Sequence, residues 1–167
     1  MAQVRTLVPD SRLSLRQRKT GVMSEPRVTI RLDGNGRAYQ PGEVLAGEYR
    51  LISIPQEEIQ AVEVSILWYT EGKGEEDLAV HDFRRLSTGD GNWIDPRQPG
   101  RFSTVLPPSP LSYQGVLVKI RWCVRVRVFL NRGREILGER PFQLGEVPAI
   151  RNATAARESP PVEVPSP

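Results

Sequence analysis

A single cysteine and a single histidine in 167 residues remove whole classes of chemistry at the outset. Cys123 has no second cysteine to pair with, so no intramolecular disulfide forms and an oxidising compartment is not indicated; a cytoplasmic setting is the expectation. One Cys and one His cannot build a zinc cage. His81 lies in the alternating stretch DLAVHDF, where a satisfied edge side chain is expected rather than a general base. Without a base, Ser109 and Ser112 have no partner to activate them as nucleophiles. Cys123 sits among apolar and cationic neighbours in a strand-like run, with no histidine or helix N-terminus to lower its pKa. No catalytic residue, metal or cofactor is assigned, and the expectation is that the chain is not an enzyme.

Long apolar runs are missing as well. No stretch approaches the roughly 18 uninterrupted apolar residues of a membrane-spanning helix, and residues 1–22 lack the apolar core of a secretory signal. The triplet Asn152-Ala153-Thr154 is therefore read as chance rather than as a glycosylation site.

The net charge of +3 and the isoelectric point of about 9.3 raise the question of nucleic acid. The excess is concentrated, however: Arg5, Arg12, Arg16, Arg18 and Lys19 stand against Asp10 in the first 22 residues, and the rest of the chain is slightly acidic. A basic face able to neutralise phosphates is not expected on the body, and nucleic acid is excluded as a partner. Met23 offers a second start, so residues 1–24 are read as a disordered basic arm or as sequence ahead of the true start. Residues 148–167, rich in Pro, Ala and Ser, are read as a disordered tail. The folding body is 25–147.

Within that body, 15 prolines and 14 glycines across the chain disfavour helical packing, and the apolar periodicity is two. Val28, Ile30 and Leu32 alternate with Arg27, Thr29 and Arg31; Leu45, Tyr49 and Leu51 share one face of 43–51; Val62, Val64, Ile66 and Trp68 share one face of 59–70. Further strands are read at 77–86, 100–107, 115–130 and 135–145. Seven or eight such strands predict an all-β, immunoglobulin-like, two-sheet antiparallel sandwich with a shared core. The turn DGNG at 33–36 and the pair Pro41-Gly42 supply the positive φ that tight turns need. A strand over 115–130 would run roughly 50 Å at ~3.3 Å per residue, so a bulge is expected near Cys123, with the two halves pairing with different neighbours.

Two segments carry a family pattern. In AYQPGEVLAGEYRL (38–51), Tyr39, Pro41, Gly42, Glu43 and Gly47 resemble the Tyr-x-Pro-Gly-Glu turn and following strand of arrestin-type domains. In RFSTVLPPSPLSYQGVLVKIRWCVRV (101–126), Phe102, Leu106, Pro107, Pro110, Ser112, Tyr113, Gly115, Ile120 and Trp122 resemble the next part of the same pattern. The resemblance implies an arrestin-like β-sandwich of the single-domain bacterial type, working as a non-catalytic adaptor or scaffold. Arrestins carry two such sandwiches, and this chain has room for one.

The most conspicuous chemical feature is the strand GVLVKIRWCVRVRVF (115–129). Its even positions from Val116 to Val128 are apolar and its odd positions carry Lys119, Arg121, Arg125 and Arg127. These four cations are the candidate partner-binding residues, because arginine forks bind carboxylate or phosphate bidentately and an acidic or phosphorylated protein segment could lie along the sheet. The competing account is a solvated face in which carboxylates such as Glu63 pair with them. A second candidate is the acidic connection TEGKGEED (70–77), whose Glu71, Glu75, Glu76 and Asp77 offer a calcium or ligand site without EF-hand spacing. A third possibility is self-association through exposed edge strands into a homo-oligomer.

Overall fold

A computed structural model of the chain describes residues 24–34, 37–74 and 76–145. The proposed arm and tail, the second half of the DGNG turn, Glu75 and Asn152 lie outside the described residues, apart from Ser24.

The alternating segments become strands: β1 (Arg27–Leu32), β2 (Val44–Ile52), β3 (Ile59–Gly72), β4 (Leu78–Ser87), β5 (Gly100–Val105), β6 (Tyr113–Gln114), β7 (Val118–Leu130) and β8 (Glu135–Phe142). All seven anticipated strands are present with ends shifted by a few residues, and two-residue β6 is an addition. They form two antiparallel sheets. The smaller is β1-β2-β5; the larger runs β4-β3-β7, with the far edge of β7 shared between β6 and β8.

The inner faces meet as the alternation requires. Leu45, Tyr49 and Leu51 of β2 and Phe102 of β5 pack in one core with Val62, Val64 and Ile66 of β3 and Trp122, Val124, Val126 and Val128 of β7. At about 1.5–3 kcal/mol for each large apolar side chain buried, this layer dominates the favourable side of folding.

Two expectations for β7 are corrected. Val116 and Val118 do not point into the core: β7 begins at Val118, and the chain reverses at Val116-Leu117, where the Gly115 N–H donates to the Val118 carbonyl at 3.1 Å. Nor is there a bulge at Cys123. β7 pairs with β3 in unbroken register from Val118 to Phe129, because β3 is equally long and can twist with it. The irregularities fall on its neighbours instead, at Gln60 of β3 and at His81 of β4, each skipped in the register. The two halves of β7 do take different partners, β6 at 119–120 and β8 at 122–129.

The residues of the family pattern assemble one end of the sandwich. Gly42 has φ +81°, and the Glu43 N–H donates to the Gln40 carbonyl at 3.1 Å, closing the turn around Pro41-Gly42. Tyr39 is buried, forms a parallel bridge to Leu144, and its ring meets Phe142 edge-on at 5.8 Å. Ser112 binds Leu144 twice, its N–H donating to the Leu144 carbonyl at 2.7 Å and its Oγ accepting from the Leu144 N–H at 2.9 Å. Gly47 is required by a close approach, since a Cβ there would lie 2.4 Å from the Arg31 carbonyl oxygen. The prolines of 107–110 carry the chain from one sheet to the other, and the Pro110 carbonyl accepts the Trp122 indole N–H at 2.9 Å.

Trp122 is 1% exposed, so two substitutions separate its packing from its hydrogen bond. Trp122→Ala is expected to cost about 3–5 kcal/mol in urea unfolding. Trp122→Phe keeps an aromatic ring but orphans the Pro110 carbonyl and is expected to cost about 1–3 kcal/mol. Losses below about 1 kcal/mol for both variants would contradict this placement.

Candidate functional site

The register puts the odd positions of β7 on the outer face of the larger sheet, in rows that cross several strands. One row is Arg85, Glu63 and Arg127; the next is Phe83, Ser65, Arg125 and Glu139; the third is Val80, Leu67, Cys123 and Pro141; the fourth is Leu78, Tyr69 and Arg121; the last is Glu71 and Lys119. Charged and apolar side chains are therefore interspersed along the face.

Three of the four sequence-predicted cations are already engaged. Arg127 holds Glu135 through two hydrogen bonds, at 2.8 and 2.9 Å, and reaches Glu63 at 3.6 Å. Arg125 donates to Glu139 at 2.6 Å, and Arg121 to Glu71 at 3.3 Å. Lys119 has no carboxylate partner among the described residues. Glu63 is where β3 was expected to place it, but it is more than a cross-strand neighbour: it is buried and clasped by Arg85 as well as Arg127. Both guanidiniums lie over the Phe129 ring, at 5.2 and 5.0 Å from its centroid. The Arg127 hydrogen bonds hold the Glu135 carboxyl below its ordinary range, and the same contact raises Arg127.

Between the charged rows Leu67 and Cys123 are buried although they face outward. Burial, with the Glu139 charge adding to it, pushes the Cys123 thiol up to about 11, so it is held as an unreactive thiol at neutral pH. The row continues onto β4, where Val80 is 50% and Phe83 53% exposed, and Leu78 and Leu86 are also exposed. This apolar edge escaped the sequence reading because the extra residue at His81 shifts the alternation partway along the strand.

β4 and β5 are end strands of their sheets and lie side by side. The His81 Nε2–H donates to the Val105 carbonyl at 2.8 Å, and the Arg84 guanidinium donates to the Ser103 carbonyl. His81 also meets Trp122 edge-on at 6.1 Å. The histidine is thus an edge residue that caps β5. Among the described residues β4 itself has one strand neighbour, β3.

Glu75 of the acidic connection lies outside the described residues, and the described ones are not gathered into a ligand cage. Glu71 is taken by Arg121, the Asp77 N–H donates to Thr70 Oγ1 at 2.8 Å, and among the described residues no three of His, Cys, Asp and Glu converge as a metal site requires.

No protein-family model matches the sequence. No curated protein gives a significant sequence match. Among solved structures, Spo0M, a sporulation control protein from Bacillus subtilis, is similar with a TM-score of 0.51 and 16% identity, over 71% of this chain and 49% of that one. The chain therefore spans about half of Spo0M. Superoxide reductase (neelaredoxin) from Ignicoccus hospitalis gives a TM-score of 0.44 and 10% identity, over 71% of this chain and 80% of that one, too slight a likeness to speak to chemistry. The two-sheet antiparallel topology and the likeness to Spo0M fit an arrestin-like β-sandwich fold, the class that the residue pattern in 38–51 and 101–126 implies.

The ion pairs differ in burial, and so should their removal. Glu63→Ala leaves two guanidiniums facing each other and is expected to cost about 1–3 kcal/mol in urea unfolding, whereas Glu139→Ala, at an exposed pair, should cost less than about 1 kcal/mol. Equal costs would contradict the clasp around Glu63.

Glu43, held down by the Gln40 N–H and then by Arg37, shares its sense of shift with Glu135. A carboxyl whose folded pKa is lowered stabilises the fold above its unfolded value, about 4.3, and that contribution is lost as pH falls through the folded value. The double variant Glu43→Gln with Glu135→Gln is therefore expected to lose stability less steeply than the wild type on acidification from about pH 5 to about pH 3, followed by urea unfolding at each pH. An unchanged slope would contradict it.

Proposed function

We propose that this chain is a non-catalytic protein-interaction module of the cytoplasm, an arrestin-like scaffold or adaptor that takes a partner along β4 and the outer face of its larger sheet. The observation that carries the reading is β4: a ten-residue end strand with Leu78, Val80 and Phe83 exposed beside the buried Leu67 and Cys123. An extended partner segment gains main-chain hydrogen bonds from such an edge and side-chain contacts from its apolar row.

Lys119, Arg121, Arg125 and Arg127 then form the polar rim of this surface, as interfaces surround an apolar centre with groups that stay partly in water. Lys119 is the cation left for an incoming carboxylate or phosphate. Arg121 and Arg125 can exchange Glu71 and Glu139 for one, at little cost because exposed pairs contribute little. The chemistry of the site supports the absence of turnover: the thiol of Cys123 is buried and the His81 ring is committed to a backbone carbonyl. Spo0M bears the name of a control protein, which accords with a fold that works by contact.

Affinity capture from the native host checks the proposal. Wild-type protein is expected to retain a discrete partner that Val80→Asp and Phe83→Asp release and that Arg121→Glu with Arg125→Glu weakens about tenfold or more. Retention unaffected by the β4 variants would overturn it.

A further inference from the structure

Trp93 stands in water. Its side chain is 78% exposed, in the connection that carries the chain from β4 to β5, although Ile94 beside it is buried in the core. An indole combines a large apolar face with an N–H donor, so one left outside the core offers both to a ligand. The ring lies on a groove of about 620 Å³ whose walls also carry Gln56, Glu57, Thr88 and Asn92, with the core residues Ile59 and Ile94 reaching it from below. That volume falls within the ~300–1,000 Å³ of small-molecule sites.

Both walls are braced by the backbone. On one, Gly91 at φ +80° closes a turn, its N–H donating to the Thr88 carbonyl at 3.1 Å, and the Asn92 amide donates to the Ser87 carbonyl at 3.1 Å. The Thr88 hydroxyl donates to the Gln60 carbonyl at 3.0 Å. On the other wall, the Asn131 amide donates to the Glu57 carbonyl at 2.9 Å and accepts from the Gln60 amide at 3.2 Å. Gln60 therefore ties both walls to the start of β3, and a site held in this way needs little ordering on binding. Among the described residues, the Trp93 indole N–H, the Gln56 amide and the Glu57 carboxylate have no hydrogen-bond or ion-pair partner in the protein. The Thr88 and Asn92 side-chain oxygens also keep lone pairs for a ligand.

The lining selects a class of ligand. No Lys or Arg is among the described residues that line the groove, so a phosphate or a polyacid finds no counter-charge there. A quaternary ammonium is held in a cage of rings and a proline-rich segment in an aromatic-lined groove, whereas here one ring stands with four hydrogen-bonding side chains. A neutral polyol with an apolar C–H face matches that set, because each hydroxyl both donates and accepts. We propose that the groove beside Trp93 binds a short neutral saccharide, one sugar ring stacking on the indole while its hydroxyls exchange hydrogen bonds with Gln56, Glu57, Thr88 and Asn92. Glu57 is the single carboxylate among the described lining residues, and glycoside cleavage ordinarily takes a pair, so the sugar is bound without turnover. The groove is open and grips one side of the ring, which sets the Kd on the order of 1 mM. It is independent of the partner surface on β4.

Titration of the full chain, followed by the NMR resonances of its indole N–H groups, tests this with glucose, galactose, mannose, N-acetylglucosamine, maltose, cellobiose and lactose as probes. At least one of these is expected to move the Trp93 resonance and leave that of buried Trp122 in place. Trp93→Ala, at an exposed position, is expected to keep the urea midpoint and lose the response of the remaining amides around the groove. Trp93→Phe keeps a stacking ring and should bind within about tenfold of the wild type. Gln56→Ala with Glu57→Ala should weaken binding about tenfold or more, and Val80→Asp on β4 should leave it unchanged. No response to any of the seven sugars up to about 50 mM, well above the expected Kd, would overturn the proposal. So would a response that survives Trp93→Ala, or tighter binding of tetramethylammonium or oligoproline than of every sugar.

Discussion

The burial of Trp122 is the constraint on which the rest of the structure depends. Its indole is packed between Phe142 and His81, with centroids 5.8 and 6.1 Å away, and its N–H is bound by the carbonyl of Pro110. That single side chain joins the long strand of one sheet to the segment that arrives from the other, and the strand behind it supplies Val124, Val126 and Val128 to the core. Tyr39, Ser112 and Leu144 close the same end through backbone and hydroxyl contacts. The residues that resemble the arrestin pattern are thus the ones that build this end. They define a fold, and the exposed charged and apolar rows of the larger sheet lie elsewhere.

Those surfaces follow from what the sandwich leaves unsatisfied. The arginines of β7 are neutralised by Glu63, Glu71, Glu135 and Glu139 from its two flanking strands, so most of the face is a ladder of opposite charges rather than a positive field. Such a ladder discriminates between partners more than it attracts them. β5, by contrast with β4, has its outward carbonyls occupied by His81 and Arg84. Of the two adjoining end strands, β5 has these carbonyls occupied, and β4 has one strand neighbour among the described residues.

Much of the fold was legible from period two alone, because strands with one face buried repeat their chemistry every second residue. The inward sets on β2 and β3 and the Trp122–Val128 run on β7 came directly from it. Alternation does not say where a strand stops. Val116 and Val118 continue the pattern past Gly115 without a break, and they lie at a hairpin tip and its flank. The pairing of Arg127 with Glu63 was legible because both residues have a fixed parity on long strands. Glu135 and Glu139 were not, since nothing local reveals which strand lies on the far side of β7. The apolar edge of β4 was hidden for a third reason: the register slip at His81 puts Leu78, Val80 and Phe83 on one face although their parity differs, so no simple alternation reads it.

Native-state amide hydrogen exchange across β7 tests the central claim most directly. If Trp122 and the alternate valines seal a dry interior between two sheets, the amides from Trp122 to Val128 exchange only through global unfolding and share one opening free energy, equal to the stability from urea unfolding. Exchange of these amides through local opening, well before the chain unfolds, would contradict it.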